Sequence, residues 1–86
     1  MPSHHKQRHC FVKANYYATA SLLVVHFTEG EFYAYPDFSL LDWLRLKTNA
    51  SHGKLYNADL RRPNRVLLGY NRAASFPPGE SDTFEN

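Results

Sequence analysis

The sequence predicts a small α+β domain, an antiparallel sheet of three to four strands packed on one helix in the order β-β-β-α-loop-β. Three observations carry that expectation. Runs rich in β-branched and aromatic residues fill the first part of the chain, most clearly "LLVVHFT" and "EFYAY" on either side of Glu29-Gly30. After Pro36 the apolar spacing changes, and Leu40, Leu41, Trp43, Leu44 and Leu46 follow a helical pattern. The chain has 86 residues, 43% of them apolar and 15% aromatic, which suits one folded domain rather than a disordered segment.

The elements follow in order. "CFVKANYY" (10–17) has strand composition, and "ATAS" follows as a turn. The next two strands, 22–28 and 31–35, form a hairpin whose register depends on its loop. A two-residue Glu29-Gly30 loop pairs His26 with Tyr33 and puts Tyr33 and Tyr35 on the open face. A three-residue Thr28-Glu29-Gly30 loop with a bulge pairs Val25 with Tyr33 and Leu23 with Tyr35, turning both tyrosines inward. The bulged form is preferred, because it asks only Gly30 for a positive φ, whereas a primed two-residue turn favours Asn or Asp before glycine. The face left over holds Leu22, Val24, His26, Phe32 and Ala34. It is too apolar for water, so a cover is expected from a terminal tail, the last strand or a partner subunit.

"SLLDWLRLKTN" reads as a largely covered helix. Ser39 and Asp42 have capping-box spacing, and Phe38 and Trp43 have the spacing of a hydrophobic staple. Asp37 is a competing cap, while Asn49 and Gly53 signal the helix end. A turn-rich stretch runs to Pro63, and "RVLLGY" (65–70) reads as a last strand. Residues 1–9 are expected to be a flexible basic tail, 10–72 the single domain, and 73–86 a flexible acidic tail.

Composition excludes several classes. No apolar run approaches the roughly 20 residues that cross a bilayer. The polar, basic start "MPSHHKQRHC" has no signal-peptide pattern, and Cys10 alone cannot form an internal disulfide. A soluble cytoplasmic protein without a cofactor is the expectation. Net charge is +2, unevenly spread. Residues 14–44 carry only acids, whereas 45–72 carry Arg45, Lys47, Lys54, Arg61, Arg62, Arg65 and Arg72 against Asp59 alone. Such a block can attract phosphates in a nearly neutral protein.

With these elements in place, "LLVVHFTEGEFYAYPDF…ASHGKLYNADLR" resembles the KTSC domain. That family is named for the C-terminus of some lysyl-tRNA synthetases and also occurs as a stand-alone bacterial or phage protein. Phe27, Gly30, Tyr33 and Tyr35 match the first half of its pattern; Ser51, Gly53, Tyr56, Asn57, Leu60 and Arg61 match the second half in order. Tyr17 can stand for the aromatic that closes the first strand. The chain departs in a more apolar helix and in an Arg-rich run continuing beyond the family's usual end. The resemblance implies RNA binding, a role conjectured for the family, and no enzymatic activity.

Two function classes emerge. In the first, Lys54, Tyr56, Asn57, Arg61, Arg62 and Arg65 form a basic loop for RNA or single-stranded nucleic acid. The cations would neutralise phosphates while the aromatic ring and the amide engage an unpaired base. Asn57 and Arg61 have a structural alternative, fixing the loop through backbone carbonyls. In the second, Leu22, Val24, His26 and Phe32 form an apolar sheet face for a protein partner or for self-association, as in a phage or bacterial adaptor or inhibitor. His4, His5, His9 and Cys10 are chemically able to hold a metal ion, but they lack regular ligand spacing, so the sequence assigns no metal site and leaves that cluster open. Catalysis is not expected: His26 and His52 have no nucleophile placed near them in the sequence, and no pair of groups separates acid from base.

Overall fold

The computed structural model describes residues 11–51, 60 and 62–85. Strands β1 (Phe11–Tyr17), β2 (Leu22–Phe27) and β3 (Glu31–Tyr35) precede helix α1 (Leu40–Ser51), and β4 (Val66–Tyr70) and β5 (Asp82–Glu85) follow it. The strands form one antiparallel sheet in the order β4-β3-β2-β1-β5, so the α+β class stands with five strands in place of three or four.

The additional strand comes from the segment expected to be a loose acidic tail. In β5, Thr83 lies opposite Asn15 and Phe84 opposite Ala14. Phe84 turns inward and meets the Phe11 ring edge-on at 6.3 Å. Asp82 accepts from the Trp43 indole Nε1 at 2.9 Å and from Lys47 Nζ at 2.7 Å, tying the strand to α1. One apolar contact and two charge-assisted bonds hold a segment whose composition alone suggests solvation.

The β2–β3 hairpin takes the bulged register. Leu23 pairs with Tyr35, Val25 with Tyr33 and His26 with Phe32, with Gly30 at φ 98°. The tyrosines therefore face α1. Tyr35 is fully buried and donates its hydroxyl hydrogen to the Leu60 carbonyl at 2.8 Å. A register shift between Phe11 and Lys13 brings Phe11 to the same inner face as Ala14 and Tyr16. These residues pack with Leu23, Val25, Phe38, Trp43, Leu46 and Leu60 into one core. Tyr16 stacks on Trp43 at 5.4 Å and donates to the Phe38 carbonyl at 2.6 Å, so a buried phenol keeps its partner.

Helix α1 begins as its capping signal says. Ser39 Oγ accepts from the Asp42 amide at 3.1 Å, and the Ser39 carbonyl takes the Trp43 amide at 3.0 Å. The Asp42 carboxylate does not complete the box; it turns to Arg45 and Arg62. Phe38 and Trp43 are both buried, as the staple spacing requires. Asn49 lies inside the helix, and Gly53 falls outside the described residues. The expectation of a largely covered helix is corrected. Only Trp43 and Leu46 are buried, while Leu41 is 64% exposed and Leu40 and Leu44 are also exposed. A single sheet covers one stripe of a helix, and at 3.6 residues per turn Leu41 and Leu44 fall off that stripe.

The outer sheet face is covered in part by the chain itself. Val24 is 2% exposed and clusters with Tyr17 and Ala34, with Leu22, Phe32 and Leu68 packed around them. Gly69, at φ 145°, stands where a Cβ would lie 2.8 Å from the Ala74 Cα. That close crossing turns the chain over the sheet and sets Phe76 edge-on to Phe32 at 5.0 Å.

Two outcomes are expected. Gly30→Ala destabilises by about 1 kcal/mol or more in urea denaturation, since it places a side chain at positive φ, and the new Cβ would meet Asn71 Oδ1 at 2.9 Å. Hydrogen bonds from Lys47 and then from Trp43 hold the Asp82 carboxyl below its ordinary range. Its stabilising contribution is therefore complete above the unfolded carboxyl value of about 3.9 and fades as pH falls through the lower folded value. Denaturation midpoints measured down the acid limb should show a shallower fall in Asp82→Asn than in the parent.

Candidate functional site

Of the six residues in the expected basic loop, Arg62 and Arg65 are described, whereas Lys54, Tyr56, Asn57 and Arg61 lie outside the described residues. The two arginines straddle Pro63 and Asn64 in the connection from α1 to β4, where Asn64 Nδ2 donates to the Pro36 carbonyl at 3.3 Å. Each guanidinium is held in place by inner-face residues. Arg62 lies 4.4 Å over the Phe38 ring and donates to Asp42 Oδ2 at 3.0 Å. Arg65 lies 4.2 Å over the Tyr33 ring and donates to the Tyr35 hydroxyl at 3.4 Å. That hydroxyl in turn donates to Leu60, so Arg65 joins a relay into the core.

The Tyr35 hydrogen bond raises the Arg65 pKa above its ordinary value. A guanidinium carries five N–H donors, and each arginine commits only part of them. Tyr33, Arg62, Pro63 and Arg65 line an open depression of about 630 Å³. Its chemistry is cationic and aromatic, with Asp42 offsetting part of the Arg62 charge. A second depression of about 580 Å³, between the Ala18–Ala20 turn and the tail, carries Glu80 and Asp82 and would repel a phosphate.

Sequence reasoning missed two members of the basic site. Tyr33 enters because the bulged register brings it under Arg65, and Asp42 because its carboxylate leaves the cap for Arg62. The first was legible once the register was chosen. The second had no local signal, since Asp42 and Arg62 are 20 residues apart.

The four outer-face residues behave differently from one another. Val24 is buried and Leu22 partly buried by neighbours in the same chain, while His26 and Phe32 are also partly buried and stack on each other at 4.1 Å. The cover expected over this face includes the chain's own Phe76.

Among the described residues no group of three or more His, Cys, Asp or Glu could hold a metal ion, and the N-terminal His4, His5, His9 and Cys10 lie outside them. No described helix is long and apolar enough to cross a membrane. No family model, curated protein or solved structure matches the chain.

A double-mutant cycle of Arg65→Ala with Tyr33→Leu should return a coupling of about 0.5–1 kcal/mol, the size of an exposed cation–π contact. Strict additivity of the two single losses in urea denaturation would mean that the pair does not interact.

Proposed function

We propose that the protein is a non-catalytic binding module that takes single-stranded nucleic acid, RNA above all, along its basic face. The observation that carries this reading is the pair of guanidiniums, Arg62 and Arg65, held over aromatic rings at the edge of one open depression. Stacking on Phe38 and Tyr33 restricts two flexible side chains in advance, which lowers the ordering cost when a phosphate arrives. Both keep N–H donors for the phosphate oxygens.

The remaining cations of the run, Lys54 and Arg61, continue the same charge along the sequence, with Tyr56 and Asn57 supplying stacking and hydrogen bonding to an unpaired base. The KTSC-like order of residues supports RNA over DNA and a bacterial or phage setting. A single cysteine suits a cytoplasmic location.

The test is fluorescence anisotropy of a labelled single-stranded RNA and a hairpin RNA, each at about 50 and 200 mM salt. Single-stranded RNA should bind more tightly, with log K falling linearly in log salt. Arg62→Gln with Arg65→Gln should flatten the slope by about 0.7 for each phosphate that is no longer neutralised. Absence of binding at the lower salt overturns the proposal, as does an unchanged slope in the double variant.

A further inference from the structure

Across the sheet from the arginines, a cleft of about 400 Å³ is lined by Lys13, Asn15, Tyr17, His26, Phe32 and Phe76. Strand alternation and register assemble it. Lys13, Asn15 and Tyr17 share the outer face of β1, and Lys13 stands opposite His26 in β2. His26 stacks on Phe32 with the rings 11° from parallel, and Phe76, 54% exposed, stands edge-on to Phe32 as the far wall.

The polar ends of this cleft are uncommitted. Among the described residues, the inner-face cations Arg62, Arg65 and Lys47 all have acidic, phenolic or aromatic partners, and Arg45 pairs with Asp42. Lys13 has no ion pair among them, although Glu85 lies opposite it in β5. The His26 imidazole makes no hydrogen bond there, and neither does the hydroxyl of Tyr17, a residue only 8% exposed. That hydroxyl is not a sealed unsatisfied group, so it keeps access to solvent. Asn15 spends both amide hydrogens on Ser81 Oγ at 3.1 Å and Thr83 Oγ1 at 2.9 Å, which leaves its carbonyl oxygen to accept.

We infer that this cleft binds a small planar aromatic anion. Its volume lies within the range of small-molecule sites, about 300–1,000 Å³. The aromatic body of the ligand would lie against Phe32, Phe76 and the His26 ring, where apolar contact and offset stacking favour flat molecules. The anionic group would take Lys13, with the Tyr17 hydroxyl and a His26 N–H as donors of direction. Asn15 would accept an N–H from the ligand ring. Phosphate and carboxylate share this chemistry, so a nucleoside monophosphate and an aromatic carboxylic acid are the two sources.

The experiment is titration of the isotope-labelled full chain with uridine 5′-monophosphate, indole-3-acetate, uridine and inorganic phosphate, read by amide chemical shifts. At least one of the two aromatic anions should give saturable shifts at Lys13, Asn15, His26, Phe32 and Phe76. Uridine and inorganic phosphate, each holding half of the recognised chemistry, should bind at least tenfold more weakly. Lys13→Gln should weaken the preferred anion about tenfold, and Phe76→Ala severalfold, in variants whose spectra stay dispersed elsewhere. If the uridine monophosphate arm alone saturates, the source is nucleotide; if the indole-3-acetate arm alone does, it is an aromatic acid. Failure of both anions at millimolar concentration overturns the inference, as do shifts confined to Arg62 and Arg65 or equal binding of inorganic phosphate.

Discussion

The hairpin between β2 and β3 determines where nearly every chemically active side chain of this protein lies. With Gly30 at positive φ, the loop holds three residues, and Val25 meets Tyr33 while Leu23 meets Tyr35. A shift of one position would exchange the faces, sending both tyrosines outward and Phe32 toward the helix. Tyr35 would lose Leu60 and Arg65, and Arg65 would lose the ring on which it rests. His26 and Phe32 would no longer stack beside Lys13. One left-handed residue thus separates a basic inner rim from an aromatic outer cleft. Asn71 reinforces it, since its amide donates to the Gly30 carbonyl at 2.9 Å and its side chain fills the space above the glycine.

The two sides of the sheet use charge in opposite ways. On the inner side cations act as structural bolts: Lys47 reaches Asp82, Arg62 reaches Asp42, and Arg65 lies on Tyr33. Exposed ion pairs of this kind contribute little singly, typically under about 1 kcal/mol, so their main effect is to fix position. Fixed guanidiniums with spare donors are well suited to phosphates. On the outer side Lys13, His26 and Tyr17 are brought together by strand register and by packing of the two rings, and their polar groups make no hydrogen bond or ion pair among the described residues. The first surface is the one proposed for a long polyanion and the second the one proposed for a single compact ligand.

Much of the architecture was legible in the sequence because it follows from local rules. The hairpin register followed from where a positive φ is tolerated, and the helix start from the Ser39 hydroxyl. The need for a cover over the outer face followed from the apolar run of Val24 and its neighbours, but not which of a tail, the last strand or a partner would supply it. Two features were not legible, and both are decided by tertiary packing rather than by local rules. Strand β5 has an acidic, polar composition, and its place is decided by Trp43, Lys47 and Phe11, about 35 to 70 residues away. The exposed Leu40, Leu41 and Leu44 look like core by composition, yet a single-layer sheet has no second surface to cover them. The candidate cleft was half legible. Alternation in β1 puts Lys13, Asn15 and Tyr17 together, and an isolated phenylalanine within "SFPPGES" is a residue that needs a place to pack.

Strand β5 also gives the fold a temporal order. Its pairing with β1 joins residues 66 and 68 positions apart through Asn15, the longest side-chain hydrogen-bonded span among the described residues. Closing so long a loop costs entropy before any contact compensates for it, so β1, β2 and β3 can pair well before this seam forms. The same four-residue edge strand is the expected first place for local opening. Each brief departure of β5 would release the two Asn15 amide hydrogens toward the cleft and take the carboxylate from the Trp43 indole. The indole ring would then report, through its fluorescence, on an opening whose other end lies at the ligand-sized cleft.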